Sequence, residues 1–244
     1  MRLEEWLSTT EPGLSAGSAT CFSLRSAEYA RQYNAVKAFG GELPAQRTQA
    51  QGETARFWSG PVNEAWNDIA RMTMARRAPR LHDELATWRN ARAFALLNLA
   101  MADGFVAGWD GKYAYRYWRP ITAIRRGDAD GNPATAPDAG WSAYLPTPAH
   151  PEYPSTHSVL SGAAATTLHC ALGTDRTDVT LASRGHFAGM ERHITSFDAA
   201  AKDVAVSRVY AGAHFPIANA AGLAVGRRIG ELACGSFLAP LARR

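Results

Sequence analysis

Three short stretches of the chain hold residues whose types and spacing suit one kind of chemistry, the handling of a tetrahedral oxyanion. In Lys112-Tyr-Ala-Tyr-Arg-Tyr-Trp-Arg119-Pro120 two cations stand seven apart. On one continuous helix they lie on nearly the same face and can clamp an anion between them. Pro154-Ser155-Thr156-His157-Ser158 opens a run rich in Ala and Gly. A helix starting there presents unpaired backbone N–H groups and a partial positive charge, so Ser155 and the amides of Thr156 and His157 form a cradle, with His157 as proton donor or acceptor. Ser207-Arg208-Val-Tyr-Ala-Gly-Ala-His214-Phe215-Pro216 sets a cation six residues before a histidine at a helix-to-helix corner, where a neutral imidazole can bond to the central atom of an oxyanion. Taken singly, each stretch also has a plainer reading: surface charges, a simple N-cap at Ser155, a satisfied structural histidine at 214.

The elements that must bring these stretches together read as helices. Ser26 to Phe39 is a first candidate, closed by Gly40-Gly41, and Pro61 suits the first turn of a second helix through Met74. From Leu81 the apolar residues Leu85, Trp88, Ala95, Leu99 and Ala102 recur at the spacing of a long buried helix ending near Gly104 to Gly111. Lys112 to Trp118 continues helically until Pro120. Residues 127–154 have the Gly, Pro, Asp, Asn and Thr content of a long ordered loop with room for short 3₁₀ pieces, and a loop of that length in a compact domain is usually functional. Helices follow at Ser155–Leu172, Ser196–Tyr210 and Ile217–Cys234, with Gly185–Thr195 as loop. Gly222, Gly226 and Gly230 make a small-residue face on the last helix, equally suited to an internal contact or a dimer seam. Alternating strand signals are nearly absent. The expected fold is therefore all-α, a single-domain helical bundle, with residues 1–25 as an irregular N-terminal arm and 26–244 as the helical catalytic domain.

At 244 residues and 46% hydrophobic, the chain can bury one sizeable core. Its 26 basic and 22 acidic residues show no dense basic stripe, which argues against a nucleic-acid or membrane-surface partner. No signal peptide and no run of the roughly 18 apolar residues needed for a membrane span are evident, although a leader already removed would look the same, so the compartment stays open. Cys21, Cys170 and Cys234, an odd count with no Cys-x-x-Cys spacing, read as buried free thiols.

Together, the three stretches resemble the signature of the superfamily of vanadium-dependent haloperoxidases and type 2 phosphatidic acid phosphatases: Lys-x6-Arg-Pro, then Pro-Ser-Gly-His, then Ser-Arg-x5-His. The resemblance spans about Phe94 to Gly230. Trp118-Arg-Pro-Ile-Thr-Ala-Ile124 and His150-Pro-Glu-Tyr-Pro154 are similar to the bacterial haloperoxidase branch, and residues 1–60 carry none of it. It implies that Lys112, Arg119, Ser155, Thr156 and Arg208 bind vanadate, or phosphate in the same site, that His214 is the vanadium ligand, and that His157 manages protons. The reaction implied is halide oxidation by hydrogen peroxide, with Lys112 polarising the bound peroxide. His150 stands where bromoperoxidase members carry a histidine beside the halide site, which points to bromide; it is equally readable as a loop histidine in solvent. Trp118, Trp141 and Tyr153 are candidates for the entrance or for packing.

The same residues also suit an acid phosphatase acting on a small phosphate ester, with His214 as nucleophile forming a phosphohistidine. A third reading is a scaffold homologue with weakened turnover. Two departures from the family bear on this choice. Thr156 replaces the usual Gly, and Ala218 replaces the Asp, four residues after the last histidine, that orients that ring; Asn219 is the nearest substitute. A homodimer is possible by analogy with longer members of the branch.

Overall fold

A computed structural model of the chain describes residues 23–43, 46–77 and 84–239. Eight α-helices and one β-hairpin are present among them: α1 Ala27–Phe39, α2 Gln49–Phe57, α3 Val62–Arg77, α4 Glu84–Tyr115, α5 Pro120–Arg125, α6 Thr156–Leu172, β1 Arg176–Ala182, β2 Glu191–Ser196, α7 Phe197–Tyr210 and α8 Pro216–Ser236. The helical-bundle expectation holds. The arm proposed for residues 1–25 lies almost wholly outside the described residues.

Local chemistry sets most boundaries. Ser26 caps α1 by accepting from the Tyr29 amide, Ser196 caps α7 by accepting from Ala199, and Gly173 closes α6 in the left-handed region at φ 71°. Helix α2 was not anticipated from its Gln-, Gly- and Thr-containing sequence. A reciprocal capping box between Thr48 and Gln51 starts it, and Ala55 and Phe57 bury one face.

Helix α4 corrects the sequence reading twice. The apolar residues picked for its core face point outward: Leu85 is 57% exposed, Trp88 74% and Leu99 45%. The buried stripe runs instead through Ala93, Leu96, Leu97, Ala100, Met101, Gly104, Gly108 and Lys112. Both faces are apolar, so periodicity alone could not choose between them. By length and composition one window of this helix is apolar enough to cross a bilayer, but its buried stripe packs against α6 and α8. The helix also stops at Tyr115. Arg116 turns the backbone at φ 48° and Arg119 becomes the N-cap of α5, so Lys112 and Arg119 do not share a helix face.

The hairpin is a further correction. β1 and β2 pair antiparallel, with Val179 opposite Ile194 and Leu181 opposite Arg192, so the loop expected at 185–195 holds only as the hairpin connection at 185–190 and gives way to strand from Glu191. Val179, Leu181 and Ile194 enter the main core beside Trp66, Ile69, Leu97, Leu168 and Phe197. The period-two alternation that makes this possible was present but short. Residues 127–154 form an ordered loop as expected, opened by a 3₁₀ turn at Gly127–Ala129 and held by the Tyr33 hydroxyl, which donates to the carbonyls of Ile124 and Ala136 at 3.1 and 2.8 Å.

Helices α6 and α8 approach to backbone contact. A Cβ on Gly226 would lie 2.0 Å from the Val159 carbonyl oxygen, one on Gly222 2.7 Å from that of Ser155, and one on Gly230 2.9 Å from that of Ala163. The small-residue face thus serves an internal contact. Gly226→Ala is expected to destabilise the protein at or beyond the upper end of the ~1–3 kcal/mol typical of overpacking, because backbone cannot yield as a side chain can. A urea midpoint unchanged from the parent would contradict this.

A disulfide joins Cys170 on α6 to Cys234 on α8, correcting the expectation of free thiols there; Cys21 lies outside the described residues. Sixty-four residues separate the pair, and closing a loop of that size removes unfolded-state entropy worth on the order of 4 kcal/mol. A doubly substituted Cys170→Ser/Cys234→Ser protein should lose stability of that order in chemical denaturation, and in the oxidised parent a thiol alkylator should label neither Cys170 nor Cys234.

Candidate active site

The N-terminus of α6, the end of α4, the start of α5 and the turn between α7 and α8 converge on one buried site. Pro154, after a cis peptide bond from Tyr153, delivers Ser155 to the N-cap position of α6. The Ser155 amide donates to the Ala218 carbonyl at 3.0 Å, tying this helix start to the first turn of α8. The Ser155 hydroxyl makes no capping bond and instead lies 3.2 Å from the Ser158 hydroxyl. The simple N-cap reading is therefore not what the structure has. The Thr156 side chain, the departure from the family's glycine, lies over Gly108 of α4, where a Cβ would be 3.5 Å from its Oγ1. Space given up on one helix accommodates the added side chain on the other.

The protein holds both ring nitrogens of His214 and one of His157. His214 Nδ1 lies 3.0 Å from Glu152 Oε1, and its Nε2 lies 3.0 Å from Arg119 Nη1. His157 bonds the backbone of Gly60, while its Nε2 is buried without a partner. Gly60 suits this task because β-hairpin backbone crosses it closely; a Cβ there would lie 2.8 Å from the Arg184 carbonyl oxygen. Arg184 in turn pairs with Asp68 and Glu64 of α3, which fastens the hairpin over the Gly60 turn. Nothing in the sequence around Gly60 signalled this role.

The cations are arranged differently from one another. Arg119 Nη1 also donates to the Ala213 carbonyl at 2.7 Å, its Nε to the His150 carbonyl at 2.8 Å, and its Nη2 to His150 Nδ1 at 3.0 Å. Lys112 is fully buried, and its ammonium donates to the carbonyls of Pro151, Glu152 and Pro154 at 3.0, 3.1 and 2.7 Å. All three of its N–H groups thus secure the turn that carries Glu152 and leads into α6. Arg208, buried at the end of α7, leaves Nε and Nη1 with no partner.

Burial and mutual repulsion unbalance the charges. Burial, then Arg119, lowers Lys112; burial lowers Arg119 to about 10, and burial with Arg119 does the same to Arg208. Glu152, buried among them, is raised by that burial. His157 is held well below the usual imidazole value by burial and then by Arg208, and His214 by burial and then by Arg119, so both rings are neutral. Three cations face one carboxylate where water is largely excluded, an arrangement stabilised by adding an anion. The orphaned Arg208 N–H groups and His157 Nε2 are the groups such an anion would satisfy.

All the residues expected in the site are brought together: Lys112, Arg119, Ser155, Thr156, His157, Arg208 and His214. His150 stands at the rim, half-buried, its ring 4.9 Å from that of Trp109 and its basicity lowered to about 4 by burial and by Arg119. The solvent-loop reading of His150 does not hold. Trp118 and Trp141 serve packing: Trp118 lies under the Arg126 guanidinium and Trp141 donates to the Lys37 carbonyl. Tyr153 is buried edge-on to Tyr115. Asn219 does not reach the histidine, since its Oδ1 accepts from Ser158. Glu152 does, and the missing Asp at 218 was the signal that such a carboxylate should be sought.

Residues 92–241 match the family model described as VCPO second helical-bundle domain. The vanadium chloroperoxidase of Curvularia inaequalis is 26% identical over 157 residues, which is 57% of this chain and 26% of that protein. A solved structure described as the first bacterial vanadium-dependent iodoperoxidase superposes with a TM-score of 0.69 at 26% identity, over 93% of this chain and 51% of that one. A holo-type bacterial vanadium-dependent chloroperoxidase shares the fold with a TM-score of 0.67 at 20% identity, over 85% of this chain and 47% of that one. The chain thus spans about a quarter of the curated relative's length and about half that of the solved structures.

Proposed function

The chain belongs to the family of the VCPO second helical-bundle domain, and on that premise we propose that it is a vanadium-dependent haloperoxidase, oxidising halide with hydrogen peroxide at a histidine-bound vanadate. The observation that carries this reading is the set of buried, unpartnered polar atoms on Arg208 and His157 beside the neutral His214. Their chemistry fits an oxyanion: fixed donors and surplus positive charge on one side, a ring nitrogen lone pair on the other. His214 Nε2, Arg119, Arg208 and the α6 amides would hold the vanadate. When bound, vanadate supplies a Lewis acid that activates hydrogen peroxide without changing its own oxidation state.

The chain's own residues do the rest. Arg208 and Arg119 neutralise oxyanion charge that water cannot reach. Lys112 holds the 151–154 turn and adds positive charge from behind it. His157, neutral and with Nε2 facing no other group, takes up or returns a proton at that nitrogen while Gly60 keeps the ring in place. His150 is fixed by Arg119 and Trp109 at the rim; bromide is the first halide to try because of the resemblance of this histidine to that of the bromoperoxidase members.

The test is to incubate the protein with orthovanadate and assay bromination of a phenolic dye with peroxide, running chloride and iodide in parallel. Halogenation that requires vanadate is expected. Hydrolysis of an aryl phosphate with no halogenation would replace this reading by the phosphatase one, and anion binding with neither activity would mark a scaffold that has lost turnover.

A further inference from the structure

We propose that Glu152 is the positioning residue of His214, doing from the 150–154 turn what the family's Asp does from the last helix, where this chain has Ala218. The proposal rests on the reading of His214 as the oxyanion-binding histidine. It is a statement about which of that ring's nitrogens carries the proton.

Two contacts fix this. Arg119 Nη1, 3.0 Å from His214 Nε2, can only donate, so Nε2 must accept. A neutral imidazole that accepts at Nε2 carries its proton at Nδ1, and Nδ1 lies 3.0 Å from Glu152 Oε1. The same oxygen accepts from the Phe215 amide at 2.8 Å, so the carboxylate is registered to the backbone on which the ring hangs. Glu152 has little freedom of its own. Its side chain is fully buried, its amide donates to the Tyr117 carbonyl at 3.1 Å, and Lys112 grips the carbonyls of Pro151, Glu152 and Pro154. The alternatives on α8 are closed: Ala218 offers only a methyl, and Asn219 Oδ1 accepts from Ser158. The lone pair for the anion is thus set from both sides of the ring, by Arg119 at Nε2 and, at Nδ1, by a residue 62 positions upstream of the histidine.

A purely electrostatic role would have the opposite sign. Removing a carboxylate from a site for anions should leave anion binding equal or tighter. Removing the group that orients the ring should weaken it, as loss of such outer partners does by about 10–100-fold.

The experiment compares the parent, Glu152→Ala and Glu152→Gln, reading the ring nitrogen shifts of ¹⁵N-labelled His214 in anion-free protein and the affinity for inorganic phosphate by calorimetry. The parent should show a protonated Nδ1 and a bare Nε2. Glu152→Ala should show mixed tautomers and bind phosphate about 10–100-fold more weakly. Glu152→Gln, nearly isosteric and still able to accept from both N–H groups, should keep the parent's signature and bind phosphate at least as tightly. An unchanged His214 signature in folded Glu152→Ala, or phosphate bound as tightly as by the parent, overturns the proposal; should the alanine variant not fold, loss of the Nδ1 proton signal in Glu152→Gln does so. The tautomer measurement needs neither vanadate nor turnover, so a parent with no haloperoxidase activity would defeat the proposed function while leaving this assignment standing.

Discussion

Replacing His157 by alanine is expected to lower vanadate-dependent halogenation by about 10²–10⁴-fold, the range of a lost general acid–base group, while leaving orthovanadate retention close to the parent's. The asymmetry follows from how the two imidazoles are held. His157 stands in the first turn of α6 with Nε2 facing no protein partner, and it adds no charge to the site because burial and Arg208 keep it neutral. Its loss removes a proton carrier and leaves Arg119, Arg208 and the α6 amides in place. His214→Ala removes the ring nitrogen expected to bond the central atom, so retention itself should fail and turnover with it. Equilibrium dialysis against orthovanadate beside the bromination assay separates the two. Normal activity in both variants would discard the residue assignment.

Replacing Arg208 by methionine should move binding and stability in opposite directions. In the anion-free protein this guanidinium is buried, has two of its nitrogens, Nε and Nη1, unpaired and is repelled by Arg119, which with burial lowers it to about 10. A hydrophobic residue of similar length relieves those costs, and exchanges of this kind are often neutral or stabilising by about 1–4 kcal/mol. In the liganded protein the same N–H groups become charge-assisted bonds to the oxyanion, and truncating such a partner costs about 2–5 kcal/mol. Orthovanadate or phosphate affinity should therefore fall by on the order of 10²-fold or more, while the anion-free melting temperature holds or rises. The parent alone should be strongly stabilised by added phosphate, since a ligand bound only by the folded state raises its stability. A variant that melts lower without anion and still binds it tightly would refute this account of Arg208.

The sequence made the bundle and the chemistry legible to different degrees. Helices α6, α7 and α8 were bounded by local signals, Gly173, Ser196 and Pro216, and the structure follows them. The three charged stretches converge as their order and types suggested. What was hidden depends on the third dimension. Helix α4 is apolar on both sides, so Leu85, Trp88 and Leu99 read as core although Leu96, Leu97 and Met101 are the residues buried. The partnership of Cys170 with Cys234 needs two helices side by side, and no spacing rule reports that. Glu152 lay in view two residues before Pro154, but its purpose becomes visible only when the α7–α8 turn folds back onto it. Lys112 was identified by type, yet its donors turn to three carbonyls rather than remaining open to a guest.

The contact of α6 with α8 through Gly222, Gly226 and Gly230 fixes how far the anion cradle stands from the imidazole that faces it. Peptide groups, not side-chain volumes, define that separation, so gradual drift in the surrounding hydrophobic residues cannot stretch or pinch the reaction centre. On the proposed function, novelty in substrate range is expected from the rim and from those parts of residues 127–149 that leave the shared spine and the 150–154 turn untouched. Libraries aimed at new organic acceptors should be concentrated on that perimeter, and diversity placed along the spine should yield mostly unfolded protein.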